Sequence, residues 1–216
     1  MSKVVLFGEI MLRLSPRGFN RFTQADTFDV NYGGSEANVA VSLSNFDVDA
    51  KFVTKLPNNE IGQSAFNKLR QFGVNISNII FGGERLGIYY LENGASQRPS
   101  KVIYDRLNSS ISKVNVEDFN WEEIFKDAKW FHFSGITPAL SDNLSEICLI
   151  ACKKAKENSK LNNITFSVDG IATANAQKGI FISDIAITNA EDTYDYSEIK
   201  NYYGTLFGSS CQKGIV

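Results

Sequence analysis

The sequence has one histidine, His132, and three cysteines, Cys148, Cys152 and Cys211. Three thiols do not make an even-numbered disulfide framework. Cys148 and Cys152 lie four apart in a predicted helix, and with a lone imidazole they cannot complete a standard zinc set. They read as buried or idle thiols of a reducing compartment. No apolar run approaches the ~20 residues needed to span a bilayer. The run Val4 to Phe7 behind Met1-Ser2-Lys3 is too short for a signal peptide. An excess of one charge is missing too: 22 Lys and Arg stand against 24 Asp and Glu, for a formal net charge of −2. No broad basic field exists to hold nucleic acid or an anionic membrane, so neither is expected as a partner. No repeat or low-complexity tract appears, and the expected location is cytoplasmic.

What is present suits a folded α/β unit. With 216 residues, 43% of them hydrophobic, the chain can bury one substantial core. Val4 to Phe7, ending at Gly8, reads as a buried parallel strand. From Met11 to Tyr32 apolar and polar residues partly alternate, which predicts half-exposed strands. Gly33-Gly34 opens a helix with Ser35 near its cap. Lys51 to Leu56 is a second strand; Ile61, Ala65, Leu69 and Phe72 then recur at helical spacing until Gly73 stops them. Leu86 to Leu91 and Lys101 to Arg106 flank the turn signal Asn93-Gly94 and predict a long hairpin. Trp130 to Gly135 is a further strand, followed by a helix over Asp142 to Asn158 and strands at Ile164 to Val168 and Ile185 to Thr188. The rhythm predicts a mostly parallel sheet from which two short antiparallel insertions protrude.

The segment richest in chemistry is Tyr32-Gly33-Gly34-Ser35-Glu36-Ala37-Asn38. Paired glycines admit a ligand close to the backbone, and the free N–H groups of a starting helix suit polar groups. Asn38, one turn in, offers both a donor and an acceptor. Alone, the segment is equally well explained as a turn and a cap. It is neither a phosphate-cradling Gly-Lys-Ser/Thr loop nor a dinucleotide fingerprint. Glu9 follows the first strand, a common place for ligand contacts in open α/β sheets; a carboxylate paired with Arg13 or Arg17 explains it as well. Tyr104 and Arg106, two apart, share one face of a strand, and a guanidinium there matches a carboxylate in a forked way. Surface packing for Tyr90 and Tyr104, and a solvated charge for Arg106, are the plainer alternatives.

In order along the chain, Phe7-Gly8-Glu9-Ile10-Met11-Leu12-Arg13-Leu14-Ser15-Pro16, the Gly33-Gly34 helix start and Phe52-Val53-Thr54-Lys55-Leu56-Pro57-Asn58-Asn59-Glu60-Ile61-Gly62 resemble the opening of ribokinase-like (PfkB-type) carbohydrate kinases. Leu-Arg-Leu-Ser-Pro and Val102-Ile103-Tyr104-Asp105-Arg106 are similar to the 2-keto-3-deoxygluconate kinase branch. The resemblance runs from residue 1 to about Asp169 and resumes at Ile185 to Asp192. It implies a ribokinase-like fold, a parallel central sheet flanked by helices, with a small β-sheet lid from segments at about 11–32 and 86–106. It further implies that Glu9, Gly33, Gly34 and Asn38 meet a sugar acid, with Tyr90, Tyr104 and Arg106 contacting it from the lid. Asn189 and Asp192 would help order magnesium and phosphate, although an asparagine and an acid after a strand are also plain helix-start chemistry. ATP and Mg2+ are the implied cofactors, and the lid would pair two subunits into a homodimer.

The pattern also breaks. The Gly-Ala-Gly-Asp motif that supplies the family's anion hole and catalytic base is absent, and no arginine follows Arg106. Where relatives continue Asp-Asn-Tyr-Arg, this sequence has Asp169-Gly170-Ile171-Ala172. Phosphoryl transfer depends on positioning and charge stabilisation, so a chain without these groups is expected to be the front portion of one kinase domain, lacking catalysis. A non-catalytic sugar-binding or dimerisation module, and a kinase for another sugar such as fructose or ribose, are the competing expectations.

Overall fold

The computed structural model describes residues 3–158, 161 and 163–167. The strand expected at Ile185 to Thr188, the Asn189 and Asp192 positions and Cys211 lie outside these residues.

The chain opens with β1 (Lys3–Phe7) and leaves it for β2 (Met11–Pro16) and β3 (Phe28–Gly33), and β3 leads into α1 (Ser35–Asn45). Next come β4 (Asp49–Leu56), α2 (Glu60–Gln71), β5 (Ile79–Phe81), β6 (Ile88–Glu92) and β7 (Lys101–Asp105). The short α3 (Trp121–Phe125), β8 (Ala128–Ser134), α4 (Ile136–Ala139), the long α5 (Asp142–Glu157) and β9 (Asn163–Ser167) complete the described part.

Five strands form the central sheet in the order β5-β4-β1-β8-β9, and every neighbouring pair is parallel. Both faces of this sheet are covered, which is why β1 reads as an unbroken apolar run from Val4 to Phe7. Along β1, Val5 and Phe7 enter one core cluster while Leu6 between them enters the other. The first cluster is aromatic, with Phe7, Phe119, Trp121, Phe125, Phe131 and Phe133 packed under Leu144, Ile147 and Ala151 of α5. The second is built from smaller groups, Ala37 and Ala40 of α1 and Ala65 and Leu69 of α2 over Phe52 and Leu56. Because α1 and α2 cover one face and α5 the other, the chain changes direction between β1 and β8. The ends of these two strands mark that switch point, the place where open α/β sheets bind ligands.

The helices begin and end as their residues dictate. Ser141 accepts the Leu144 N–H at 3.2 Å and starts α5, whose buried Leu144, Ile147, Cys148, Ala151, Cys152 and Ala155 keep the helical period. Cys148 and Cys152 are free thiols, and burial pushes the Cys152 thiol up to about 12, so both stay protonated and inert. Asn59 caps α2 by accepting the Ile61 and Gly62 N–H groups, and Gly73 ends it at φ 76°. The inward face of α2 is Gly62, Ala65 and Leu69, whereas Ile61 is 47% and Phe72 39% exposed. The expected face thus rotates, because Gly62 is the residue small enough to lie against the Pro57 carbonyl. At α1 the cap position belongs to Gly34, and Ser35 is the first helical residue.

The lid is a single four-stranded sheet, β3-β2-β6-β7. The two insertions join through a parallel pairing of β2 with β6, with antiparallel strands on either side. The hairpin turns later than the Asn93-Gly94 signal: Ala95 and Arg98 exchange backbone hydrogen bonds at 3.0 Å, and Ser96 takes φ 53°. Gly94 instead donates its N–H to the Ser100 hydroxyl at 3.0 Å. Buried Glu92 accepts the Phe22 N–H at 2.9 Å and pairs with Arg98, fastening this turn to the β2–β3 connection.

Candidate active site

Opposite residues of paired strands share a face, so the pairing register sorts the lid into rows. One row crosses all four strands as Asn31, Arg13, Tyr89 and Tyr104. The next row is Val30, Leu14, Tyr90 and Ile103, on the other face. In these two rows the polar groups lie on one side of the lid and the apolar groups on the other.

The polar face continues toward the switch point. A methyl group on Gly33 would stand 2.7 Å from the Tyr89 hydroxyl and 3.8 Å from Oδ1 of Asn38, so these three residues converge. Gly34 lies against the Glu9 backbone, and a side chain there would overlap the Glu9 carbonyl oxygen. Its φ of 179° is open to any residue, so close approach makes glycine necessary here. Tyr104 faces Tyr89 with ring centroids 6.0 Å apart, and the Arg106 guanidinium sits 5.8 Å from the Tyr104 ring centre.

Glu9 lies beyond the end of β1 and is 3% exposed. Its Oε2 accepts from Nε of Arg106 at 2.8 Å and also from Nη2, so the partner is Arg106 rather than Arg13 or Arg17. Arg17 pairs instead with Asp29 at 3.4 Å. Oε1 of Glu9 is buried without a hydrogen bond, close to Gly87, where an added methyl would stand 2.6 Å away. Burial raises the Glu9 carboxyl above its ordinary range; Arg106 and the adjacent Ser109 pull it back, and Glu36 adds to the rise.

Of the residues expected to meet a ligand, the fold thus brings Glu9, Gly33, Gly34, Asn38, Tyr104 and Arg106 to one side of the lid and its base. Tyr90 is a correction. It turns to the apolar face, where its ring meets Phe22 at 6.4 Å and Phe28 at 6.2 Å. Its neighbour Tyr89 takes the polar position, because a shift of one residue along a strand exchanges the faces.

Two further residues were not legible as site residues. Glu36, 2% exposed, accepts the Ser134 N–H at 2.9 Å and the Thr137 hydroxyl at 3.1 Å. It ties the start of α1 to the end of β8 at the switch point. An acid in the first turn after paired glycines was its only sequence signal. The other is Lys68, which stands 5.1 Å from the centre of the Phe72 ring. With Asn31, Tyr32, Gly33, Asn38 and Phe72 it lines a cavity of about 310 Å³ on the β3 side of the helix start.

Among the described residues no cluster of three or more His, Cys, Asp or Glu side chains is placed to hold a metal ion. Nor, among them, is any helix long and apolar enough to cross a membrane.

Comparison with known proteins places this geometry. The chain is 37% identical over 145 residues to the 2-dehydro-3-deoxygalactonokinase of Haloferax volcanii, covering 67% of this chain and 45% of that protein. The crystal structure of 2-dehydro-3-deoxygluconokinase from Thermotoga maritima superposes with a TM-score of 0.78 at 53% identity, covering 81% of this chain and 53% of that one. An uncharacterized sugar kinase from Pyrococcus horikoshii, solved in complex with ATP, shares the fold at a TM-score of 0.66 and 24% identity over 77% of this chain and 53% of its own. The chain therefore spans about half the length of the relatives it matches. The model of the pfkB family carbohydrate kinases matches residues 1–202. With that match, the parallel sheet and the four-stranded lid, the chain belongs to the pfkB family of carbohydrate kinases.

Proposed function

We propose that this chain carries the sugar-acid-binding part of a kinase that transfers the γ-phosphoryl group of ATP to 2-keto-3-deoxygluconate (2-dehydro-3-deoxygluconate). The observation that carries the reading is the polar lid row, with Tyr89 and Tyr104 side by side and Arg106 next to them, facing the Gly33-Gly34 helix start. The Arg106 end of the site suits the carboxylate, since a guanidinium offers parallel donors to its two oxygens. The tyrosine hydroxyls, the Asn38 amide and the Gly34 backbone suit the keto and hydroxyl groups. The lid lies over the sugar and keeps water from it.

ATP supplies the phosphoryl group, with magnesium to neutralise its charge. By family resemblance Asn189 and Asp192 would help order these groups; both lie outside the described residues. The base and anion hole of the Gly-Ala-Gly-Asp motif are not in this sequence. The residues of this chain bind and orient the acceptor, and the complete kinase uses them for transfer. The exposed apolar residues of the other lid face, Val30 at 60% and Ile103 at 44%, support a homodimer formed lid to lid.

A second reading is a sugar-binding module without catalysis, since the polar residues gathered at the lid and the helix start suit binding and orienting a sugar acid. Calorimetry with 2-keto-3-deoxygluconate, its galactonate epimer and fructose, beside an ADP-release assay, separates the possibilities. Selective binding of the sugar acids without ADP release is the expected result. Equal binding of fructose would overturn the sugar-acid reading, and ADP release would show that phosphoryl transfer does not need the missing motif.

A further inference from the structure

We infer that Arg13 supplies the positive charge that selects an anionic sugar, while Arg106, already neutralised by Glu9, sets the orientation of the carboxylate. This rests on the sugar-acid reading and adds a residue to it.

The inference follows from how charge is distributed on the polar face of the lid. Arg106 gives Nε and Nη2 to buried Glu9, so the two together carry no net charge. Two donors held by one acceptor fix the plane of the guanidinium, and no described residue accepts a hydrogen bond from its Nη1. A pair of this kind directs a carboxylate well. It attracts one poorly, because the Glu9 charge stands behind it. Three other acids of the lid are taken as well: Asp29 by Arg17, Glu92 by Arg98 and Asp105 by Arg85.

Arg13 differs from all of these arginines. It lies in the row between Asn31 and Tyr89, one strand from Tyr89 and two from Tyr104. It makes no ion pair among the described residues, and its Nε is buried without a hydrogen-bond partner. A half-buried guanidinium with an unmet donor has lost hydration without replacement, a cost that an arriving anion removes. Its neighbours in the row, an amide and a phenol, carry no charge that would screen such an anion. The sugar acid would therefore lie between two arginines of different duty, with Tyr89 and Tyr104 between them.

The test uses the full chain with R13Q and R13K, titrated calorimetrically with 2-keto-3-deoxygluconate and with neutral fructose, with thermal melting of each protein. Arg13 holds no structural partner, so both variants are expected to melt close to the parent. R13Q should bind the acid roughly tenfold more weakly or worse, the scale of a lost charge-assisted contact, with fructose binding unmoved. R13K keeps the charge but loses the fork, and should recover part of the loss. If R13Q lowers melting sharply, R13K decides: a preference for the acid below that of the parent supports the assignment. Parent-like acid binding in R13Q, or in R13K when R13Q is unstable, overturns the role of Arg13 and leaves the sugar-acid reading intact. A parent chain that fails to prefer the acid over fructose overturns both.

Discussion

Tyr89 and Tyr104 stand directly opposite one another across the lid hairpin, ring centroids 6.0 Å apart, and the Tyr89 hydroxyl closes on Gly33. Tyr90, one residue on, faces the opposite side against Phe22 and Phe28. The two tyrosines should therefore respond differently to loss of the hydroxyl. Y89F should weaken 2-keto-3-deoxygluconate binding by about 1 kcal/mol, the net worth of one hydrogen bond, and Y90F should leave it unchanged. Calorimetry on both variants checks this, and an equal effect would count against the assigned faces.

How much was legible in the sequence depended on the range of the contacts. β1 announced itself as an apolar run ending at glycine, because both faces of the sheet are covered, and β8 was read as a further strand. Helix α5 was expected over Asp142 to Asn158, and the structure builds it with a Ser141 cap and a regular apolar period. Tyr89 could not be told from Tyr90, since both are half-buried aromatics and only register decides their faces. Glu9 and Arg106 were each singled out, but their pairing spans 97 residues and has no local signature. Glu36 was missed for the same reason, its partner Ser134 lying 98 residues away.

Gly34 is a demand of space. An alanine methyl would meet the Glu9 carbonyl oxygen, which belongs to the backbone and has little room to yield. G34A should destabilise the fold by roughly 1–3 kcal/mol, as overpacking does, and push the helix start away from the switch point. G33A meets only the hydroxyl tip of Tyr89 and should cost less stability, while still weakening the sugar acid. Urea unfolding of the two variants checks the order; G33A proving the more damaging would contradict it.

Removing the Glu36 side chain strands the buried N–H of Ser134 and leaves the Thr137 hydroxyl only its longer contact, 3.5 Å to the Phe7 carbonyl. E36A should lose about 1–3 kcal/mol, the desolvation cost of one unpaired buried donor. E36Q retains a carbonyl oxygen for both donors and should recover much of the loss. Chemical denaturation of the pair of variants measures it, with parent-like stability in E36A as the contrary result.

The apolar lid row offers a test of association. Val30 and Ile103 are 60% and 44% exposed at the two outer strands of one face, with Leu14 and Tyr90 between them. Sedimentation velocity should show a dimer for the parent and a monomer for V30E/I103E, because two buried like charges facing their copies are not tolerated in an apolar interface. Both side chains are already in water, so the melting point of the separated monomer should report lost association and not a broken core. A parent chain that sediments as a monomer would remove the lid-to-lid proposal.

Two carboxylates should bend the pH dependence of stability in opposite directions. For Asp118, burial acts to raise the carboxyl, but the hydrogen bond from Lys55 at 2.6 Å and the Asn115 backbone outweigh it, and the group sits below its ordinary 3.8. A depressed carboxylate contributes stability above its unfolded value, and that contribution is lost as pH falls through the lower folded value. Glu9 is the reverse: burial raises it above 4.5 despite Arg106 and Ser109, with Glu36 adding to the rise and Arg85 the further charge that senses it. The folded state then holds a proton that the unfolded chain has released, so stability from this group falls as pH rises from the unfolded value through the raised one. Melting temperatures from about pH 3 to about pH 7 separate the two. D118N should flatten the acid limb, and E9Q should remove the decline on the upper side even though its overall stability is lower for want of the Arg106 partner. The slopes, not the absolute melting points, carry the comparison. An E9Q profile with the same slope as the parent above the ordinary glutamate range would show that the Glu9 carboxyl titrates as an ordinary one, and that Arg106 compensates its burial completely.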